Sequence, residues 1–134
     1  MRFFLDNCLS PCWAPALSAL VKDDGHQVIH LFDTFPRNTP DIKWITELAA
    51  HAQPTVIISG DGRITRNPQE RAAWKQATLT AFFLAAGWTH LKFWDKTWMF
   101  VRWFPKLIDQ AKLVTPGSGF LVPVHYGENK LRPI

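Results

Sequence analysis

Cysteine is scarce in this chain, with Cys8 and Cys12 the two among 134 residues. They lie too close in sequence to staple a fold, so no disulfide framework is implied. A zinc site would need two further ligands, and His26, His30, His51, His90 and His125 show no paired spacing with the cysteines. Long apolar runs are missing too. The longest, residues 81–88, is too short to cross a bilayer, which argues against a membrane partner. The N-terminal stretch Met1-Arg2-Phe3-Phe4-Leu5 meets Asp6 and Asn7 before it reaches the length of a signal-peptide core, so a cytoplasmic protein is expected. Repeats, low-complexity tracts and linkers are absent as well, and a single domain over residues 1–134 is the expectation.

What is present suffices for a core, since 47% of the residues are hydrophobic. Fifteen Lys and Arg against eleven Asp and Glu leave a formal net charge of +4. Such a balance favours a polyanionic partner such as RNA, although ordinary solubility charge looks the same.

Strand-like apolar runs alternate with amphipathic segments, the pattern of a mainly parallel sheet flanked by helices: an α/β protein. Residues 2–5 read as a first strand. Ser10 as N-cap and Pro11 at the first helical position then open a helix whose apolar face is Trp13, Leu17, Leu20 and Val21. Asp24-Gly25 stops it. A second strand is expected over 28–32, followed by a helix capped by Thr39-Pro40-Asp41 with Ile42, Ile45, Leu48 and Ala49 on its buried face. Residues 54–59 form a third strand of the kind buried on both sides, and Gly60-Asp61-Gly62-Arg63 a turn after it. Asn67-Pro68-Gln69-Glu70 starts another helix, residues 80–84 a fourth strand, and residues 93–114 an aromatic helical segment that Pro105 either kinks or divides. A last strand over 120–124 leaves a short basic tail.

In a parallel sheet the loops leaving the strands collect at one edge. Asp6 leaves the first strand there, Asp61 leaves the third, and Asp41 stands in the first turn of the helix entered from the second. Three carboxylates on one edge repel unless a divalent cation neutralises them, and Mg2+ or Mn2+ suits carboxylate oxygens while leaving coordination sites for water and phosphate. Each acid also has a plainer role: Asp41 would complement a helix dipole and Asp61 would serve a turn. Asp6 has no such duty.

The string Phe3-Phe4-Leu5-Asp6-Asn7-Cys8-Leu9-Ser10 resembles the opening of PIN-like toxin domains, in which the first strand delivers an acidic metal ligand. The succession Gly25-His26-Gln27-Val28, Thr39-Pro40-Asp41 with Trp44, and Ser59-Gly60-Asp61-Gly62-Arg63-Ile64 is similar to that family's landmarks, over roughly residues 2–84. The resemblance implies a three-layer α/β/α sandwich and a metal-dependent ribonuclease, often the toxin of a toxin–antitoxin pair. The site would then be Asp6, Asp41 and Asp61, as catalytic residues and ligands of Mg2+ or Mn2+, acting on RNA.

Many active PIN nucleases present four acids, and no fourth stands out here. Glu70 is the nearest, in a position that fits a capping box equally well. Asn7 would orient substrate or support the turn. Arg63 and Arg66 would grip the RNA backbone or simply face solvent. The stretch Phe93–Phe104 interleaves six aromatics with cations, as stacking platforms for single-stranded RNA do. It also has more aromatics than one helix face buries, which favours core plus an interface for an antitoxin protein or a second copy in a homodimer. The alternative to a nuclease is a PIN-like module that has lost turnover and serves binding or assembly.

Overall fold

The computed structural model describes residues 1–51, 54–60, 67–127 and 130–134. Among them one six-stranded sheet forms, ordered β2-β1-β3-β4-β5-β6. The strands are β1 Arg2–Leu5, β2 Gln27–His30, β3 Thr55–Ser59, β4 Thr80–Leu84, β5 Gly119–Val122 and β6 Arg132–Pro133. All neighbours pair in parallel except β6, which runs antiparallel to β5. Parallel neighbours need crossovers, and the helices supply them: α1 Trp13–Val21, α2 Asp41–Ala49, α3 Pro68–Gln76 and α4 Phe93–Leu113.

Side chains alternate across a strand, so a strand that is apolar at every position must be covered on both faces. Strands β1, β3 and β4 are buried throughout. Phe3, Leu5, Val56, Ile58, Phe82 and Leu84 meet the side chains of α1 and α4 on one face. Phe4, Ile57, Ala81 and Phe83 meet Trp44 of α2 and Trp74 of α3 on the other. The result is the three-layer α/β/α sandwich that the family resemblance implies, with the mainly parallel sheet that the alternation of elements predicts. Gly119 is required where β5 passes under α3, because a Cβ there would stand 2.2 Å from the Trp74 ring.

Several local expectations shift. Ser10 caps a turn rather than the helix: its hydroxyl accepts from the Cys12 N–H, and α1 begins at Trp13. Trp13, Leu17 and Val21 are buried as expected, but Leu20 is exposed and Ala14 takes its place. In α2 the hydroxyl of Thr39 donates back to the Pro36 carbonyl, Pro40 is the N-cap, and Ile42 and Ala49 face outward while Trp44 turns inward. Strand β2 ends at His30, where a 3-10 turn, Leu31–Asp33, takes over. Pro105 lies within one continuous helix, on its exposed side. The basic tail pairs as β6, an edge strand of two residues too short to show a period.

Candidate active site at the β1–β3 crevice

Strand β1 connects through α1 to β2 on one side, whereas β3 connects through α3 to β4 on the other. The chain therefore reverses direction between β1 and β3, and open α/β sheets bind ligands at such a switch point, beyond the carboxyl ends of the strands. Asp6 and Ser59-Gly60 stand at those two ends.

Asp6 is 3% exposed. Its backbone N–H continues the ladder to the Ile58 carbonyl at 3.0 Å. One carboxylate oxygen accepts the Cys8 N–H at 2.9 Å, and the other accepts the hydroxyl of Ser59, itself fully buried. Burial raises the Asp6 carboxyl above the ordinary carboxylate range; hydrogen bonds from Ser59, Cys8 and the Gly60 N–H oppose the rise, and the charge of Asp41 adds to it. Asp41 is thus near enough to be felt. It sits half-buried in the first turn of α2, where its Oδ1 accepts the Trp44 indole N–H at 2.9 Å. Gly60 keeps the crevice narrow, since a Cβ there would press on Leu9 and Cys8 at 3.2 and 3.3 Å.

His30 braces this corner from β2. Its Nε2 lies 2.8 Å from the Leu9 carbonyl, and its Nδ1 is 3.1 Å from the Phe32 N–H. A carbonyl needs a donor and an N–H needs an acceptor, so the ring is the neutral Nε2–H tautomer. It ties the loop after Asp6 to the end of the neighbouring strand. Sequence reasoning gave Ser59 and His30 no role. The signal for either is a polar residue directly after a Val/Ile run, Val28-Ile29 before His30 and Val56-Ile57-Ile58 before Ser59.

Of the residues expected at the site, Asp6 and Asp41 are brought to one edge. Asn7 lies exposed at the mouth, its Oδ1 3.7 Å from the Cys8 thiol. Asp61, Arg63 and Arg66 fall outside the described residues, with Asp61 directly following Gly60 in sequence. Glu70 is half-buried at the start of α3, and its N–H, with that of Gln69, is held by the side chain of the N-cap Asn67. In donor chemistry the pair Asp6 and Asp41 fits a hard divalent cation. Among the described residues no third acid, histidine or cysteine joins them into a ligand cluster.

A family model described as a PIN like domain matches residues 1–86. The chain belongs to the PIN-like domain family. Neither the curated proteins nor the solved structures contain a match. The matched part of this PIN-like domain spans β1 to β4 and therefore holds the whole switch-point crevice, Asp6, Asp41 and Ser59 included. Its fold is of the nuclease type, and no described helix is long and apolar enough to cross a membrane.

Proposed function

We propose that this PIN-like domain is a metal-dependent endoribonuclease that hydrolyses RNA phosphodiesters as the toxin of a toxin–antitoxin pair. The observation that carries the reading is a buried carboxylate, Asp6, at the switch point of the sheet, held by three hydrogen bonds and within the field of a second acid. Ionising a carboxyl group there is costly in the bare protein, and a cation is what offsets that cost.

Asp6 and Asp41, joined by Asp61, would hold Mg2+ or Mn2+, which when bound supplies an activated water and a Lewis acid to the phosphate. Ser59, Cys8 and Gly60 keep the Asp6 carboxylate fixed in one orientation. Asn7 at the mouth orients the substrate, and Arg63 and Arg66 bind backbone phosphates, which position RNA without reading its sequence. An antitoxin protein would cover the exposed stripe of Trp94, Val101 and Pro105 along α4, an apolar surface of the sort that marks protein interfaces.

The test is a cleavage assay on single-stranded RNA with purified protein. Cleavage is expected with Mg2+ or Mn2+, none in excess chelator, and none by Asp6→Asn or Asp61→Asn protein that keeps the wild-type circular dichroism. Full cleavage in chelator, or by either variant, contradicts the reading. Folded wild type that neither binds a divalent ion nor cleaves RNA is the binding or assembly module instead.

A further inference from the structure

An indole carries one N–H donor, and burying it without an acceptor leaves a desolvation cost unrecovered. Four of the five buried tryptophans meet this requirement. Trp13 donates to Thr97, Trp44 to Asp41, Trp74 to the Leu79 carbonyl and Trp88 to the Val122 carbonyl. Trp103 is fully buried, and its Nε1 has no partner among the described residues.

Trp103 helps line a groove of about 160 Å³ between α4 and the segment after β5, together with Trp98, Met99, Arg102, His125 and Tyr126. The groove is built from flat, stackable groups. The Tyr126 ring stands edge-on to Trp103 at 4.8 Å, the Arg102 guanidinium lies 4.2 Å over Tyr126, and Trp98 is 54% exposed. Donors are plentiful, and among the described residues no carboxylate lines it. The groove opens at the same edge of the sheet as Asp6. Phe100, between Trp98 and Trp103, stacks on Trp13 at 4.7 Å and meets Trp88 edge-on, and both tryptophans belong to segments leaving the carboxyl ends of strands. Strand β5, whose following segment forms one wall of the groove, is three places from β1, about 14 Å at the usual strand spacing.

We propose that this groove receives an unpaired base of single-stranded RNA, stacked on Trp98 beside Arg102, a few nucleotides from the phosphate held at Asp6. The inference rests on the nuclease reading and names how the substrate is gripped. Every base has a face to stack and carries ring nitrogens or carbonyls as acceptors, which answers a wall of aromatic rings and donors. Positive charge at Arg102, in a domain of net charge +4, matches the phosphates on either side of the base. The exposed Trp98 face and the Arg102 guanidinium over Tyr126 offer a stacking surface with a cation beside it, the pairing that a base and its flanking phosphates need.

The test is fluorescence anisotropy with the full chain in chelator, so that nothing is cleaved, using a short labelled single-stranded oligoribonucleotide and the same strand with an abasic residue at each position in turn. Trp98→Ala is expected to weaken binding by roughly 5- to 100-fold, Trp98→Tyr to stay within about 3-fold of wild type, and Arg102→Gln to weaken it by about 5-fold or more. One abasic position should cost the wild type as much as Trp98→Ala does, and cost the Trp98→Ala protein nothing further. Trp98 is half out in solvent, so these variants fold, and Tyr126→Leu offers a second route to the same groove. Unchanged RNA affinity in both Trp98→Ala and Tyr126→Leu overturns the groove, and continued cleavage by those variants with Mn2+ would show that the nuclease reading survives. Self-association of the wild type that Trp98→Ala abolishes, with RNA affinity untouched, also overturns it and makes the face a contact between copies.

Discussion

The two ends of β1 carry opposite charges in similar burial, four residues and about 13 Å apart. At the amino end Arg2 reaches the Thr55 hydroxyl at 3.0 Å and lies over the Phe4 ring, with its Nε buried and without a partner among the described residues. Burial pulls its guanidinium below the usual range. Nearby His26 is likewise pushed down, by burial first and then by the N-terminal ammonium and Lys112. At the carboxyl end Asp6 is pushed up by burial yet held by three donors on two segments, Cys8 after β1 and Ser59-Gly60 at the end of β3. A cation whose guanidinium lies over an aromatic ring and donates to a hydroxyl is tolerated, because the ring face and the hydroxyl oxygen both attract its charge. An acid whose short side chain is fixed from several directions is oriented instead. Orientation is what a metal ligand needs, and only the carboxyl end sits at the switch point.

The sharpest way to break that contrast is to neutralise each end. Asp6→Asn should lower RNA cleavage by more than about 100-fold, since even the outer partners of metal ligands are worth roughly 10–100-fold. Arg2→Met should leave cleavage within about 2-fold, and a comparable loss in both would mean that neither end is special. Next in size is the brace that only the carboxyl end has. His30→Ala strips the Leu9 carbonyl and the Phe32 N–H of their partner, and should cost about 1–3 kcal/mol in urea unfolding together with a drop in cleavage. Unchanged stability would remove His30 from the account. Smaller still, Arg2→Met should change unfolding free energy by no more than about 1 kcal/mol, because it removes a buried charge that has no ionic partner among the described residues while preserving contact with Phe4.

The smallest effect is in pH. A carboxyl whose folded pKa lies above its unfolded value of about 3.9 binds more protons in the folded state across that interval, so stability falls as pH rises through it. In metal-free protein the advantage of Asp6→Asn over wild type should therefore be near zero below the unfolded pKa. It should grow as pH rises through the folded pKa and level off above it. An advantage that grows instead on acidification would contradict the raised pKa.

Much of this arrangement is legible in the residues alone. Strands β1, β3 and β4 are near-continuous apolar runs, and a parallel sheet follows from their alternation with helices. Asp6 stands out because it ends such a run and caps no helix. Helix faces are harder: Leu20 and Ile42 satisfy a helical period as well as the residues that are buried, and the choice is made by α4 and by Trp44 in three dimensions. The bond from Ser59 to Asp6 joins residues 53 apart, and the link from His30 to Leu9 joins residues 21 apart. Local pattern holds neither. Pro105 stays inside α4 because it falls on the exposed face, where water can serve the carbonyl its missing N–H leaves free. The PIN-like family is legible from short motifs whose order matters more than any one of them.

Thermal unfolding of wild type and Asp6→Asn, first in chelator and then with rising Mn2+, tests most directly whether the crevice is a metal site. In chelator Asp6→Asn should melt higher than wild type, since it removes a carboxylate ionised against burial and the field of Asp41. With the metal at about a hundred times its Kd the wild type should gain roughly 2.7 kcal/mol and the variant little, because binding to the folded state alone stabilises as RT ln(1 + [L]/Kd). A wild-type melting curve that Mn2+ does not move, with Asp6→Asn melting at or below it in chelator, would make Asp6 a structural residue and contradict the site.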